Sequence, residues 1–236
     1  MTLQDEIIST VSHEMRTPLT SIRGFSQTLL NSWDKIDDEN KKKFIKIIEE
    51  QSNRLINLVE NILTVSKENS ETFVYKKVDI NSVIEKTLSV IKEKYKTHKF
   101  IFNHNKEIFY SRLDEDKFQQ IIMNLLDNAG KYSFENTSVI ISTELKEDNI
   151  LIKIKDEGVG IKQEDFDKLF KKFSRIENHL TSKTQGNGLG LYITKNLVEK
   201  MGGEISVLSE ISKGTEFVVK FSIYNPEEVL KCSQKS

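Results

Sequence analysis

Between residues 40 and 68, apolar side chains recur at Phe44, Ile48, Leu55, Leu58, Ile62 and Val65, and Gln51 holds the single polar position of the seam. The steps alternate between four and three residues. Residues 2–32 repeat the pattern through Val11, Met15, Pro18, Ile22, Phe25 and Leu29. Alternating steps of this kind keep one stripe on one face of a helix. The two stretches are separated by the short polar run "NSWDKIDD", in which Asp37 or Asp38 is the candidate N-cap. Two long helices across a short loop make an antiparallel hairpin. A lone hairpin leaves half of each apolar stripe wet, and pairing two hairpins into a four-helix bundle buries it. Residues 1–68 are therefore expected to form a homodimer.

Pro18 lies inside this seam. It cannot donate to the carbonyl of Glu14, and a proline in a helix interior costs about 3 kcal/mol. The heptad phase nevertheless runs through it, so the helix is expected to continue with a kink. At 100° per residue the seam positions of the first helix cluster within about 80° of arc, and His13 falls about 200° from their centre. Thr17 follows one turn later on the same solvent face. The stretch "SHEMRTPLT" thus sets an exposed titratable group beside a costly kink, a combination that points to function. A neutral imidazole is nucleophilic and could accept a phosphoryl group. Glu14 is the candidate to manage its proton. Neighbouring side chains leave a helix about 100° apart, so spacing alone does not settle that role.

Of the ten glycines, only Gly24 precedes residue 130, which marks two parts of different architecture. The run "SKENSETF" contains a linker at 69–73, and the pattern then turns to mixed helix and strand. "FVYKKVDI", "KFIFNH" and "EIFYSRL" read as strands, and "SVIISTELKEDNILIKIKDEG" as a hairpin. "INSVIEKTLSVIKEKY", "DEDKFQQIIMNLLDNAGKYS", "KQEDFDKLFKKF" and "GLGLYITKNLVEKMGG" read as helices, and "EISVLSE" and "GTEFVVKFS" as closing strands. The expected class is α+β, with helices on one face of a mainly antiparallel sheet. Residues 226–236 read as a disordered tail.

Composition narrows the function classes. With 35 basic and 36 acidic residues, no global field attracts nucleic acid or anionic lipid. No apolar run exceeds three residues, so no membrane segment is expected, and no signal peptide is seen. The single cysteine, Cys232, lies in the polar tail and allows no internal disulfide, which suits an intracellular, cytoplasmic chain.

Three motifs of the second part converge on a nucleotide. Asn124, Asn128 and Lys131 stand at i, i+4 and i+7 on one helix face. Amide oxygens suit a hard Mg²⁺ ion whose other ligands are waters and phosphates, and Lys131 can meet a phosphate. In "DEGVGI", Asp156 could accept from an exocyclic amine such as that of adenine, while Gly158 and Gly160 let backbone approach a ligand. "GNGLGL", from Gly186 through Gly188 and Gly190 to Leu191, opens a helix whose free N–H groups suit phosphate. Its GxGxG spacing opens no βαβ unit, which argues against a dinucleotide fold. The polar stretch 171–185 has the length and composition of a lid.

In this order the motifs resemble the catalytic half of two-component sensor histidine kinases, over nearly the whole chain. "VSHEMRTPLTSI" resembles the family's H box, "NLLDNAGKYS" its N box, and "DEGVGI" and "GNGLGL" its glycine boxes. "LFKKFSR" is similar to its F box, and "KGTEF" to a last, weaker glycine box. The resemblance implies a dimerisation and phosphotransfer hairpin at 1–68 and a Bergerat-type ATP-binding α/β sandwich at 74–225. It implies His13 as the phosphorylated residue, Glu14 as its acid/base helper, and Thr17 as a residue for dephosphorylating the partner regulator. Asn128, supported by Asn124, would hold Mg²⁺. Lys131 and Tyr132 would face the ATP, and Asp156 would hold adenine with Gly158 and Gly160 beside it. Gly186, Gly188, Leu189 and Gly190 would bound the phosphates, with Thr215 completing the site. Phe170, Phe173 and Arg175 would belong to the lid hinge. The implied partner is the receiver domain of a response regulator.

Related gyrase-type and mismatch-repair ATPases place a glutamate where this chain has Asn124. An amide cannot take a proton from water, so bound ATP is expected to serve transfer to His13 rather than hydrolysis. The alternative is a nucleotide-responsive dimeric scaffold with little turnover. Gly130, inside the N-box helix, is an oddity that should cost about 1 kcal/mol relative to alanine.

Overall fold

The heptad seams fold into helix α1, Leu3–Ser32, and helix α2, Asp38–Ser66, joined by a single 3₁₀ turn at Trp33–Lys35. The computed structural model describes residues 3–66, 72–104, 108–176 and 188–225. They belong to two units, Met1–Glu71 and Thr72–Ser236. Of the two candidate caps, Asp37 is the one used: its carboxylate accepts from the backbone N–H of Asn40 at 2.9 Å and from that residue's amide at 2.7 Å. Those bonds hold Asp37 below the usual carboxylate range.

Pro18 is buried and α1 runs through it. The seam closes around Leu29 and Leu58, with the rings of Phe25 and Phe44 5.1 Å apart and Gln51 buried among them. A second apolar stripe stays outside. Leu19, Leu30, Ile45, Ile56, Val59 and Leu63 are all exposed. Each follows a seam residue by one position, so the stripe is turned about 100° from the inter-helix contact.

The second unit is a two-layer sandwich. Its strands are β1 (Lys76–Asp79), β2 (Lys99–His104), β3 (Tyr110–Leu113), β4 (Ser138–Lys146), β5 (Asn149–Lys155), β6 (Glu204–Glu210) and β7 (Gly214–Ser222). Its helices are α3 (Ile80–Lys94), α4 (Glu115–Tyr132), α5 (Phe166–Leu169) and α6 (Gly190–Lys200). The main sheet runs β2-β4-β5-β7-β6, with β2 parallel to β4 and every other pair antiparallel. Ile152 is in register with Thr143 on one side and Val219 on the other, and Ile154 with Ile141 and Phe217. These residues are buried while their neighbours along each strand are not, so one face carries the core. Phe118, Ile121, Ile122, Leu125 and Leu126 of α4 are fully buried, as are Ile84 of α3 and Val198 of α6.

Two expected strands are shorter than their sequence pattern. "FVYKKVDI" and "EIFYSRL" reduce to β1 and β3, which pair with each other outside the main sheet. Capping sets these ends. The Asp79 carboxylate accepts from the N–H of Ser82, and that of Asp114 from the N–H of Lys117, so each strand passes into a helix. The expected helix at 162–173 is a 3₁₀ turn, Gln163–Asp165, followed by the four-residue α5. Gly130 also finds its reason. A Cβ there would lie 2.8 Å from the ring of Tyr95.

Candidate functional site

In the hairpin, His13 and Thr17 are exposed, as expected for one solvent face of α1. Glu14 points elsewhere. It is half-buried, and its Oε2 accepts from Nη2 of Arg54 on α2 at 3.1 Å. Arg54 was not singled out by motif. Its signal is positional: it flanks seam residue Leu55, where charged residues of paired helices commonly meet.

In the second unit Asp156 follows β5 and is buried. Its Oδ1 accepts from the N–H of Gly158 at 2.9 Å and of Thr215 at 3.0 Å. Burial raises its pKa to about 6, against the pull of those two donors. Its own N–H donates to the carbonyl of Thr215 at 2.8 Å. Thr215 is thus a clamp on Asp156. Gly214, beside it in "KGTEF", was missed as a site residue. Its φ is +95°, and a Cβ there would lie 2.0 Å from the carbonyl oxygen of Asp156.

The first glycine box is tied to the N box through backbone. The N–H of Val159 donates to the carbonyl of Tyr132 at 3.2 Å, and Ser133 bridges Gly158. A side chain on Gly158 would meet that same carbonyl at 2.1 Å. Gly160 turns the chain beside the carbonyl of Glu210. Asn124, Asn128, Lys131 and Tyr132 are half-buried along the end of α4. The Asn124 amide nitrogen reaches the carbonyl of Gly190 at 3.5 Å and Oγ1 of Thr194 at 3.4 Å, which links the N box to the start of α6.

Lys131 stands 3.6 Å from Oδ2 of Asp127. Burial lowers the Lys131 pKa; Asp127 offsets this in part, and the charges of Lys94 and Arg175 add to the lowering. Asp127 also accepts from Lys94 Nζ and, at 2.8 Å, from the Tyr95 hydroxyl. Burial opposes its charge, but Lys131 and Lys94 hold its pKa below the usual range. The phenol of Tyr95 is raised by burial and by that carboxylate.

The backbone of Phe173 and Ser174 approaches Gly188 so closely that a Cβ there would lie 2.7 Å from it. Phe173 itself has φ +59°. The F box and second glycine box therefore meet at the foot of the expected lid. Phe170 is half-buried, with Lys195 of α6 over its ring, and Arg175 is exposed. The Leu189 side chain is fully buried and serves the core. Gly186 and most of the lid at 171–185 lie outside the described residues, as do Cys232 and the tail.

The donor set fits a nucleotide with a hard cation. Asp156 has Oδ1 engaged by two backbone donors, which leaves Oδ2 to take an amine. Among the described residues no group of three His, Cys, Asp or Glu side chains could hold a metal. A cation here would depend on amide oxygens, which Asn124 and Asn128 of α4 could offer, and on the phosphates of the nucleotide. No helix among the described residues is long and apolar enough to cross a membrane.

Fold and site together define a phospho-acceptor helical hairpin followed by an ATPase-type α/β sandwich. Residues 3–71 match the His Kinase A (phospho-acceptor) domain, and 113–225 match the histidine kinase-, DNA gyrase B-, and HSP90-like ATPase family. The chain belongs to the sensor histidine kinases and is their catalytic portion. It is 32% identical over 220 residues to the signal transduction histidine-protein kinase ArlS of Staphylococcus haemolyticus, covering 92% of this chain and 48% of that one. ArlS of Staphylococcus aureus is 33% identical over the same length, with 49% of it covered. The chain thus spans about half the length of the curated relatives it matches. Among solved structures, the Acinetobacter baumannii histidine kinase AdeS aligns with a TM-score of 0.71 at 28% identity, covering 90% of this chain and 98% of that one. Histidine kinase ThkA, solved in complex with the response regulator protein TrrA, shares the fold with a TM-score of 0.69 at 23% identity, covering 94% of this chain and 62% of that one.

Proposed function

We propose that this chain is an ATP-dependent protein-histidine kinase that phosphorylates His13 and passes the phosphoryl group to an aspartate of a response regulator. A ring nitrogen of His13 attacks the γ-phosphorus, the bond to the β,γ-bridging oxygen breaks, and ADP leaves. The other ring nitrogen gives up its proton, and Glu14 is the candidate to take it once its carboxylate turns from Arg54. Asp156 holds the adenine amine through Oδ2. Asn128, with Asn124 beside it, would hold Mg²⁺, which supplies charge neutralisation on the phosphates when bound. Lys131 supplies a further positive charge, so the chemistry is mostly positioning and electrostatics. Because Asn124 offers no base for water, ATP is spared from direct hydrolysis.

The buried Asp156 carboxylate, pinned by Gly158 and Thr215 with one oxygen left over, carries the nucleotide half of this reading. The exposed apolar stripe that follows the hairpin seam supports the dimer, since a second hairpin would cover it. Thr17, one turn from His13, is assigned to dephosphorylating the regulator. ThkA, a fold neighbour, was solved with such a regulator protein. ATP and receiver domains meet in the cytoplasm, so the reading places the chain there.

The test is a labelling time course with γ-labelled ATP and Mg²⁺ on wild type and His13→Ala. Acid-labile, alkali-stable label on wild type alone is the expected result. Label that persists in His13→Ala sinks the assignment. Absence of label on wild type, with ATP bound, favours the scaffold alternative.

A further inference from the structure

We propose that Asp127 is a positioning residue for Lys131, holding its ammonium in competition with the phosphates of the nucleotide. This rests on the reading of Lys131 as a phosphate ligand and adds a residue to it. Asp127 lies between Asn124 and Asn128 in sequence, yet neither the metal nor the adenine role uses it. Its carboxylate is half-buried and crowded with donors: Lys94 Nζ, the Tyr95 hydroxyl at 2.8 Å, and Lys131 Nζ at 3.6 Å.

The geometry separates two tasks. Lys94 and Tyr95 come from the end of α3 and share Oδ1, which fixes the carboxylate against α4. Oδ2 is left to Lys131, one turn further along the same helix. An Asp four residues ahead of a Lys is the favourable order for such a pair. The Oδ2 contact at 3.6 Å is longer than an ordinary hydrogen bond, and the ammonium is the mobile end of a flexible stem. Lys131 is also unsettled by burial and by the like charges of Lys94 and Arg175. It is a cation held loosely by a firmly held anion.

A triphosphate offers a competing and larger negative charge, so part of its attraction is spent in drawing Lys131 from Asp127. Transfer of the γ-phosphoryl group then leaves ADP with less charge, and Asp127 recovers the ammonium more readily. The carboxylate weakens nucleotide binding and favours product release.

The experiment measures Mg-ATP and adenosine binding by calorimetry to wild type, Asp127→Asn, Lys131→Ala and the double variant of the full chain. An asparagine keeps an acceptor for Tyr95 and removes the charge. The expected result is ATP binding tighter by about three- to tenfold in Asp127→Asn, the range for losing one partly screened ion pair, with adenosine unchanged. The gain disappears when Lys131 is also alanine. ATP affinity unchanged or weaker in Asp127→Asn overturns the proposal. So does a gain that persists without Lys131, and so does an equal shift for adenosine, which reports a packing role through Tyr95. If Lys131→Ala alone binds ATP as wild type does, the reading of Lys131 as a phosphate ligand fails, and that failure is visible separately.

Discussion

The ring of Tyr95 occupies the space that a side chain on Gly130 would need, with ring carbons 2.8–3.0 Å from the Cβ position. The same tyrosine donates to Asp127 on the preceding turn of α4. A glycine that weakens the helix locally therefore lets Tyr95, at the end of α3, close on α4. Gly130→Ala is expected to destabilise the second unit by about 1–2 kcal/mol, the overpacking penalty less the helix-propensity gain. Adding Tyr95→Ala should remove the clash. Urea unfolding of the single and double variants checks this, and a Gly130→Ala protein more stable than wild type contradicts it.

Asp156 gives a pH dependence with a definite sign. Its pKa rises from 3.8 to about 6, so between those values the folded protein binds more protons than the unfolded chain. Stability contributed by this residue therefore falls as pH rises through that window, and the full penalty applies above about pH 6. If Asp156 takes the adenine amine as proposed, its charged form is the better acceptor, so ATP affinity should drop as pH falls below about 6. Calorimetric titrations between pH 5 and about 8 read this directly.

The same residue predicts a trade between stability and function. Asp156→Asn keeps an acceptor for Gly158 and Thr215 but presents an amide nitrogen or a single oxygen where the carboxylate stood. ATP binding should be lost. At neutral pH the apo protein should gain stability, by at most about 3 kcal/mol for a two-unit shift. Thermal melts with and without ATP separate the two effects, and a destabilised Asp156→Asn protein counts against the burial argument.

Glu14 and Arg54 form a half-buried pair across the hairpin. A double-mutant cycle with Glu14→Ala and Arg54→Ala should show a coupling of about 0.5–1 kcal/mol that shrinks in high salt. Zero coupling would mean that the two side chains do not hold each other in solution.

The exposed stripe on α2 predicts oligomeric state. Ile56→Glu with Leu63→Glu should turn a dimer into a monomer, measured by light scattering, without unfolding the second unit. A chain that stays dimeric with both changes places the interface elsewhere.

Much of this was legible in the sequence because it is local. Heptad spacing is set by helix geometry, and it carried α1 through Pro18 and placed α2 to within a residue or two. Alternation and turn residues gave the β4–β5 hairpin, since the period of a strand is written along the chain. The glycine and asparagine motifs could be picked out as candidates because each is a short run, but the close approaches that require glycine at Gly158, Gly160 and Gly188 come from Tyr132, Glu210 and Phe173.

What needed the tertiary structure is whatever depends on residues far apart in sequence. Nothing near Gly130 shows that Tyr95 will lie on it. Nothing near Glu14 names Arg54, 40 residues on. The pairing of β1 with β3 outside the main sheet, and the clamp that Thr215 and Gly214 place on Asp156, arise only when distant strands meet. Asp127 became a candidate for the same reason, because its second and third partners arrive from α3. Periodicity fixes which face of an element is apolar, but packing decides which side chain, from which element, comes to rest against it.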